Sequence, residues 1–376
     1  GGNINSPVII EAYGSGELPT IEDPRALWDK NKRVDAISVN GSYIHILDVR
    51  VRDAEHVWGV SLGHTSHHIV IGGMDINATS GGMRIHGEQQ KVISNDIRNI
   101  GSKGGDSGGI CVVFVGKSLE FSWNRLTRCV NDSLSRPDGS AFEYYGYISN
   151  VNQVGYEYVS EDIRIHHNFI EDSLVFMEAY GAVKSMSIAY NVYLNGSEGG
   201  ILFHFDHSES LDSLDHSLTY EVEIINNTFL PLHPQSPSGW GVIGMLLDLK
   251  DASRNTDPLL SSITLKNNII VTNHAITRNA MGANFVHENN IYWLMGAGKF
   301  DLSTPSSLGI SDSIANPEFV SFSFTGERVN PTGLDLRLKQ TSPALNSATT
   351  SVYDVDILKN PVPKGAGPDI GAFESY

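Results

Sequence analysis

Two short strings, AFEYYG (141–146) and FMEAYG (176–181), share the tail Tyr-Gly and, laid one over the other, set Glu143 on Glu178 and Tyr145 on Tyr180. ILFHFDH (201–207) and MLLDLK (245–250) continue the series. Read as strands, whose side chains alternate between two faces, these strings send Phe142, Tyr144, Met177, Ala179, Ile201, Phe203, Phe205, Met245 and Leu247 inward. The outward remainder is Glu143, Tyr145, Glu178, Tyr180, His204, Asp206, Asp248 and Lys250, with Arg84 and His86 added from an earlier string.

Carboxylates stacked on neighbouring strands about 4.8 Å apart repel, so a fold gains nothing from placing Glu143 on Glu178 without another use for the pair. Like charges at that range raise one of the two pKa values, and a protonated carboxyl beside an ionised one is what general acid/base hydrolysis of a glycoside requires. Glu178 is the expected acid and Asp206 the expected base or nucleophile, with Glu143 and His204 beside them. Glu143 to Glu178 fits the close spacing of a retaining mechanism, and the diagonal from Glu178 to Asp206 fits the wider spacing of an inverting one. Tyr145 and Tyr180 offer flat faces to sugar rings. Asp248, Lys250, Arg84, His86 and Asp138, the last in the turn Arg-Pro-Asp-Gly, are the other candidate substrate contacts. This reading requires no cofactor. A second reading has the carboxylates hold calcium, helped by the oxygen-rich loop with Asp206, Glu209, Asp212 and Asp215, with His204 or Lys184 as the base of a lyase. A plain solvated face is the third.

The elements that must position these residues are strands. Apolar residues alternate in strings such as Ile163-Arg-Ile165, Met186-Ser-Ile188 and Ile263-Thr-Leu265, and the 37 glycines punctuate the chain with turns. One phrase recurs: apolar, any, apolar, two mostly polar positions, then Asn. It reads LEFSWN, IRIHHN, MSIAYN, VEIINN and ITLKNN, and its asparagines Asn124, Asn168, Asn191, Asn227 and Asn268 lie 44, 23, 36 and 41 residues apart. A second phrase, a glycine leading alternating apolar residues, starts at Gly59, Gly82, Gly109 and Gly200, the first three starts differing by 23 and 27 residues. A unit this short cannot bury its own apolar face and must stack on copies of itself. The asparagines then form a ladder that satisfies turn backbone groups, and His166 and His167, in the same phrase, are expected to be structural. Lys117 and Lys184 recur in turns. Sequons at Asn40, Asn77, Asn131, Asn195 and Asn226 occur as often as chance allows in an Asn- and Ser-rich chain.

On these phrases the chain resembles the right-handed parallel β-helix proteins of the pectate-lyase-like superfamily, whose coils commonly carry an Asn ladder at one turn. NSPVIIEAYGSGELPTI (6–21) is similar to their opening segment, and LDLRLKQTSPALN with PDIGAFE to the closing segment of many secreted bacterial members. The resemblance implies an all-β, single right-handed parallel β-helix with long loop insertions. One domain is expected over 1–376, with regular coils over about 35–293 and a capping segment over 294–376. It also implies a secreted, extracellular or periplasmic protein acting on or binding a glycan, without choosing the activity; the stripe, rich in carboxylates and tyrosines and poor in the cations a uronate needs, ranks a glycoside hydrolase first, a calcium-dependent polysaccharide lyase second and a non-catalytic glycan-binding or tailspike-like module third.

Composition agrees. At 40% hydrophobic and 18% charged residues the chain folds, and its net charge of −17 disfavours nucleic acid and anionic lipid surfaces as partners; a polysaccharide or oligosaccharide is the partner the resemblance implies. No apolar run is long enough to span a bilayer. The chain opens at Gly1 without a leader, which reads as a mature or trimmed product. Cys111 and Cys129 form one bridge or remain two quiet thiols.

Overall fold

A computed structural model describes residues 1–22, 35–52, 58–101, 109–131, 137–145, 160–180, 183–197, 199–204, 220–232, 243–246, 262–273, 276–278, 285–296, 308–326 and 328–375. Among these there is no helix, and so none long and apolar enough to cross a membrane. The chain divides into two compact units, Gly1–Arg164 with Phe169–Glu178, and Ile165–Asn168 with Ala179–Tyr376.

In the first unit strands pair in parallel, each with its counterpart one coil later. One column runs through Ile37–Val39, Trp58–Leu62, Gly81–Glu88, Val112–Ser122 and Ser140–Tyr145, in the register Ile37, Val60, Met83, Val112, Phe142. A second runs through Val8–Glu11, Ser42–Leu47, His67–Gly72 and Lys91–Ile93 to the far half of Val112–Ser122. A third joins Thr20–Glu22, Arg50–Arg52, Asp75–Asn77, Asp96–Ile100, Arg125–Cys129 and Phe169–Glu171. The inward residues of each column form a core of stacked aliphatics: Val60, Met83 and Phe142, or Val51, Ile76, Ile97, Leu126 and Ile170, are all fully buried. Phe142, Tyr144, Met177, Ala179, Ile201 and Phe203 are buried, as the alternation predicts. The repeat that begins at Gly109 is out of step with the observed register. Met83 pairs with Val112, an interval of 29, so Cys111 rather than Gly109 is the partner of Gly82. Gly109 instead serves the turn, with a positive φ of 78° and backbone of Val130 and Asn131 where a Cβ would lie. Cys111 and Cys129 are joined by a disulfide within this coil.

Corners between strands are sharp and left-handed. Ser94, Trp123, His167, Tyr190, Asn226, Asn267 and Asn289 all have φ between 53° and 60°, and each immediately precedes an asparagine of the ladder. That conformation costs about 1–2 kcal/mol per non-glycine residue, and the ladder offsets it. In the first unit Asn95 donates its backbone N–H and Nδ2 to Asn124 Oδ1 at 3.0 and 2.8 Å. In the second, Asn168, Asn191, Asn227, Asn268 and Asn290 do the same in turn, and the last donates to Asp312 Oδ1 at 2.7 and 3.0 Å. The Nδ2 groups of Asn95, Asn191, Asn227, Asn268 and Asn290 also reach strand carbonyls, as Asn227 does to Ile188 O at 2.8 Å.

The second unit repeats the three-column plan, with Val183–Ala189, Tyr220–Ile225, Ser262–Lys266 and Phe285–Glu288 as one column. Its corner side chains hold the C-terminal segment. Asn226, Asn267 and Asn289 donate to the carbonyls of Asp369, Thr350 and Ser347, and His167 Nε2 lies 2.8 Å from Val355 O. Tyr353 stacks on His166 at 4.3 Å between ring centroids. The segment buries Asp356, Asp369 and Glu374, each accepting backbone N–H groups.

Two expectations follow from these bonds. Asn227→Ala strands buried donors and acceptors on both neighbouring coils, so stability in denaturant unfolding should fall by about 2–4 kcal/mol; an unchanged midpoint contradicts a structural ladder. Burial lifts Glu374 from 4.5 to about 7; the N–H groups of Asp369 and Lys364 pull it down, and the charges of Asp369 and Asp356 push it up. The fold thus favours neutral Glu374. Its contribution is complete below pH 4.5 and lost as pH rises through about 7. Melting of the parent should fall between pH 5 and 8 by more than that of Glu374→Gln, which lacks the titrating group.

Candidate active site

The outward face of the first column carries the candidate residues. Its strands set Ser38, Ser61, Arg84, Val113 and Glu143 in one line, each hydrogen-bonded strand next to the last. The strand Ser140–Tyr145 is flanked on its other side by Val175–Tyr180, which brings Glu178 next to it. Phe142 and Tyr144, then Met177 and Ala179, are buried, and alternation from them turns Glu143 and Glu178 to the other face, on which Phe176 is also fully buried, its ring 5.7 Å from that of Phe142. Glu143 is nevertheless only 8% exposed, and Ser140 Oγ lies 3.4 Å from its Oε2. Glu178 is half-buried.

Two strands before Glu143, the Arg84 guanidinium is held by three bonds. Nε and Nη2 donate to Ser61 Oγ at 3.0 and 2.8 Å, and Nη2 donates to Asp35 Oδ2 at 3.1 Å. Two residues along the same strand, on the same face, His86 stacks on His64 with ring centroids 4.3 Å apart. Burial first, then the proximity of His64 and Arg84, lowers His86 from 6.5 to about 3, and burial with Arg84 lowers His64. His86 is therefore neutral at ordinary pH, a ring with one donor and one acceptor nitrogen.

The structure thus gathers Arg84, His86, Glu143 and Glu178 in the first unit. It adds Asp35, Ser61 and His64, none of which stood out in the sequence. Ser61 had a legible signal: it occupies in Gly59-Val-Ser-Leu62 the position that Arg84 occupies in Gly82-Met-Arg-Ile85. Asp138 is exposed and, rather than lying in a turn, forms an isolated antiparallel bridge with Asn131, while its Oδ1 accepts the N–H of Gly139 at 2.9 Å. Tyr145 and Tyr180 end their strands, and His204 ends Ile201–His204 in the second unit, paired with Leu246; the side chains of these three lie outside the described residues. So do Asp206, Asp248 and Lys250, and with them the loop bearing Glu209, Asp212 and Asp215. Lys117 lies within the strand Val112–Ser122, and Lys184 is exposed in Val183–Ala189. Among the described residues no group of three or more His, Cys, Asp or Glu is placed to hold a metal ion.

No protein-family model matches the sequence, and no curated protein matches it. Among solved structures the chain is similar to pectate lyase Pel9A, with 16% identity over 100% of this chain and 81% of that one, at a TM-score of 0.55. It is also similar to the catalytic unit of a thermostable GH87 α-1,3-glucanase from Streptomyces thermodiastaticus strain HF3-3 (15% identity, 75% of this chain and 51% of that one, TM-score 0.37) and to a mutant of the PL6 family alginate lyase AlyGC (11% identity, 96% and 56%, TM-score 0.36). The fold is that of the right-handed parallel β-helix, of the pectate-lyase-like kind.

Because His86 is held neutral by its surroundings, its ring nitrogens should show no titration between pH 8 and 4 in a nitrogen-detected NMR experiment. A midpoint near 6.5 contradicts the packed arrangement.

Proposed function

We propose that this protein is a secreted carbohydrate-active enzyme, a glycoside hydrolase that cleaves a polysaccharide or oligosaccharide with Glu143 and Glu178 as its acid/base carboxyl pair. The reading is supported by two glutamates, Glu143 and Glu178, on neighbouring strands of one sheet, which strand alternation sends to the same face. Likeness in fold to a pectate lyase supports a glycan as the substrate class. The Cys111–Cys129 bridge supports an oxidising compartment, extracellular or periplasmic.

In this mechanism Glu178 carries the proton and gives it to the glycosidic oxygen as the bond to the anomeric carbon breaks. Glu143, ionised, meets the developing oxocarbenium from one strand away, a separation of about 5 Å that suits a retaining displacement. Glu143 thereby forms a glycosyl ester as the protonated leaving group departs, and water, giving its proton to Glu178, attacks the anomeric carbon, breaks that ester and regenerates both carboxyl groups. His204 and Asp206, next along the sequence stripe, are further proposed contacts, and Asp206 is the base if the reaction inverts.

Glu143→Gln and Glu178→Gln should each lower kcat by about a hundredfold or more, while melting stays unchanged or rises slightly because a like-charge contact is relieved. Digestion of a glycan panel should yield new reducing ends without the ultraviolet absorbance of unsaturated uronates, and chelator should leave the rate intact. Unsaturated products that vanish in chelator and return with calcium overturn hydrolysis in favour of a calcium-dependent lyase. Oligosaccharide binding without any cleavage leaves a binding module.

A further inference from the structure

The group around Arg84 is built differently from a cation awaiting an acidic sugar. Its Nε and Nη2 are occupied by Ser61 and Asp35, so one carboxylate already balances its charge, while 40% of its side chain remains exposed. Asp35 is largely buried, with 13% of its side chain exposed, and Ser61 is 3% exposed. Beside this fixed fork stand two half-buried imidazoles, stacked within 26° of parallel. Both are biased toward the neutral form, chiefly by burial. The position is also set: Arg84 lies in the same outward line as Glu143, separated by Val113, and two strand spacings amount to about 10 Å.

We propose that Asp35, Ser61, His64, Arg84 and His86 form a sugar-binding subsite, two coils before Glu143, that takes an uncharged, hydroxyl-bearing ring of the substrate chain. Each coil advances about 5 Å, close to the length of one sugar unit in an extended glycan, so a chain lying along the solenoid and cleaved at Glu143 reaches Arg84 about two units away. Hydroxyl groups both give and accept hydrogen bonds. The site answers with guanidinium donors held in place by Ser61 and Asp35, and with imidazoles that offer one donor and one acceptor nitrogen each. A stacked pair of flat rings also suits the apolar face of a sugar. A uronate meets no uncompensated cation here and faces Asp35, Glu143 and Glu178 within a chain of net charge −17. The proposal rests on the hydrolase reading for its direction along the groove but is tested by binding, which needs no turnover.

The test is calorimetric titration of the full chain with hexasaccharides of glucose, xylose and mannose and with an oligogalacturonate of equal length. At least one neutral hexasaccharide should bind, and bind more tightly than the acidic one. Arg84→Ala and the half-buried His64→Ala should each weaken it tenfold or more, with melting within a few degrees of the parent. Disaccharides, too short to reach from Glu143, should bind both variants as they bind the parent. In turnover the same changes should raise KM and leave kcat unaltered. Tighter binding of the oligogalacturonate, no binding of any neutral chain, or unchanged affinity in both folded variants overturns the proposal. Neutral binding lost in these variants without any cleavage sinks the hydrolase reading and leaves the subsite standing.

Discussion

A coil that returns to its starting direction every few strands must turn corners that L-residues resist, and it must do so at the same height as its neighbours. At seven of these left-handed corners, from Ser94 to Asn289, the asparagine that follows meets both demands. Its Oδ1 accepts two donors from the coil before it, and its own N–H and Nδ2 donate to the coil after it. Register is thereby fixed at the corner rather than along the strand. Parallel strands rich in valine and isoleucine have little else to stop a slip of two residues, since such a slip keeps every side chain on its own face. With the register pinned, outward residues fall into straight lines. The line from Ser38 to Glu143 is such a line, although in the first unit the asparagine ladder itself is seen, among the described residues, only between Asn95 and Asn124.

Legibility in the sequence followed the same division. Alternation and the repeated Asn phrase gave the architecture, and the positions alternation sends inward, Phe142, Tyr144, Met177 and Ala179, are buried, though Ala141 and Phe176 on the opposite phase are buried as well. The ladder is longer than the phrase suggests. Asn95 follows a three-residue strand, Lys91–Ile93, too short to alternate. Asn290 was hidden because His287 occupies an inward position, opposite Leu265, where the phrase expects an apolar residue, and bonds Asp312 Oδ2 through Nδ1 at 2.6 Å. The site was legible where it sits on strands and illegible where it sits off them. Glu143 and Glu178 are in the alternating pattern; Asp35 precedes its strand, and its ion pair with Arg84 spans 49 residues that no periodicity connects. The repeat at Gly109 misled because a glycine required by a left-handed turn looks the same in sequence as one that opens a strand.

The outward residues of the third column show what lies over them. In the first unit Arg50, Asp75, Asp96 and Arg125 are in register on that face, and Arg50 and Arg98 close on Asp75 at 2.9 and 2.7 Å. In the second unit the corresponding line is Val192, Thr228, Ile269 and Ile291, all buried. The C-terminal segment packs on it. Ala372 donates its N–H to Thr228 Oγ1, and a Cβ on Gly371, whose φ is 100°, would stand 2.8 Å from Ile269 Cδ1. Charge on one stretch and aliphatics on the other are thus a sequence record of which face meets water, written in outward positions that alternation alone treats as equivalent.

The residue that ends the ladder has the property of a chain terminator. A stack of identical amides is open-ended: its last member always offers two donors to whatever comes next, and a second molecule presenting a matching carbonyl oxygen extends it. Asp312 accepts both donors of Asn290, and its other oxygen accepts from His287 and from the N–H of Gly309. A carboxylate has nothing to hand onward. The growth rule that builds the molecule therefore stops inside it, with the final hydrogen-bonding capacity turned back on its own chain. An open sheet edge is a template for fibres; Asp312 ends the side-chain ladder, while the backbone sheet runs one strand further, to Ser313–Ile314.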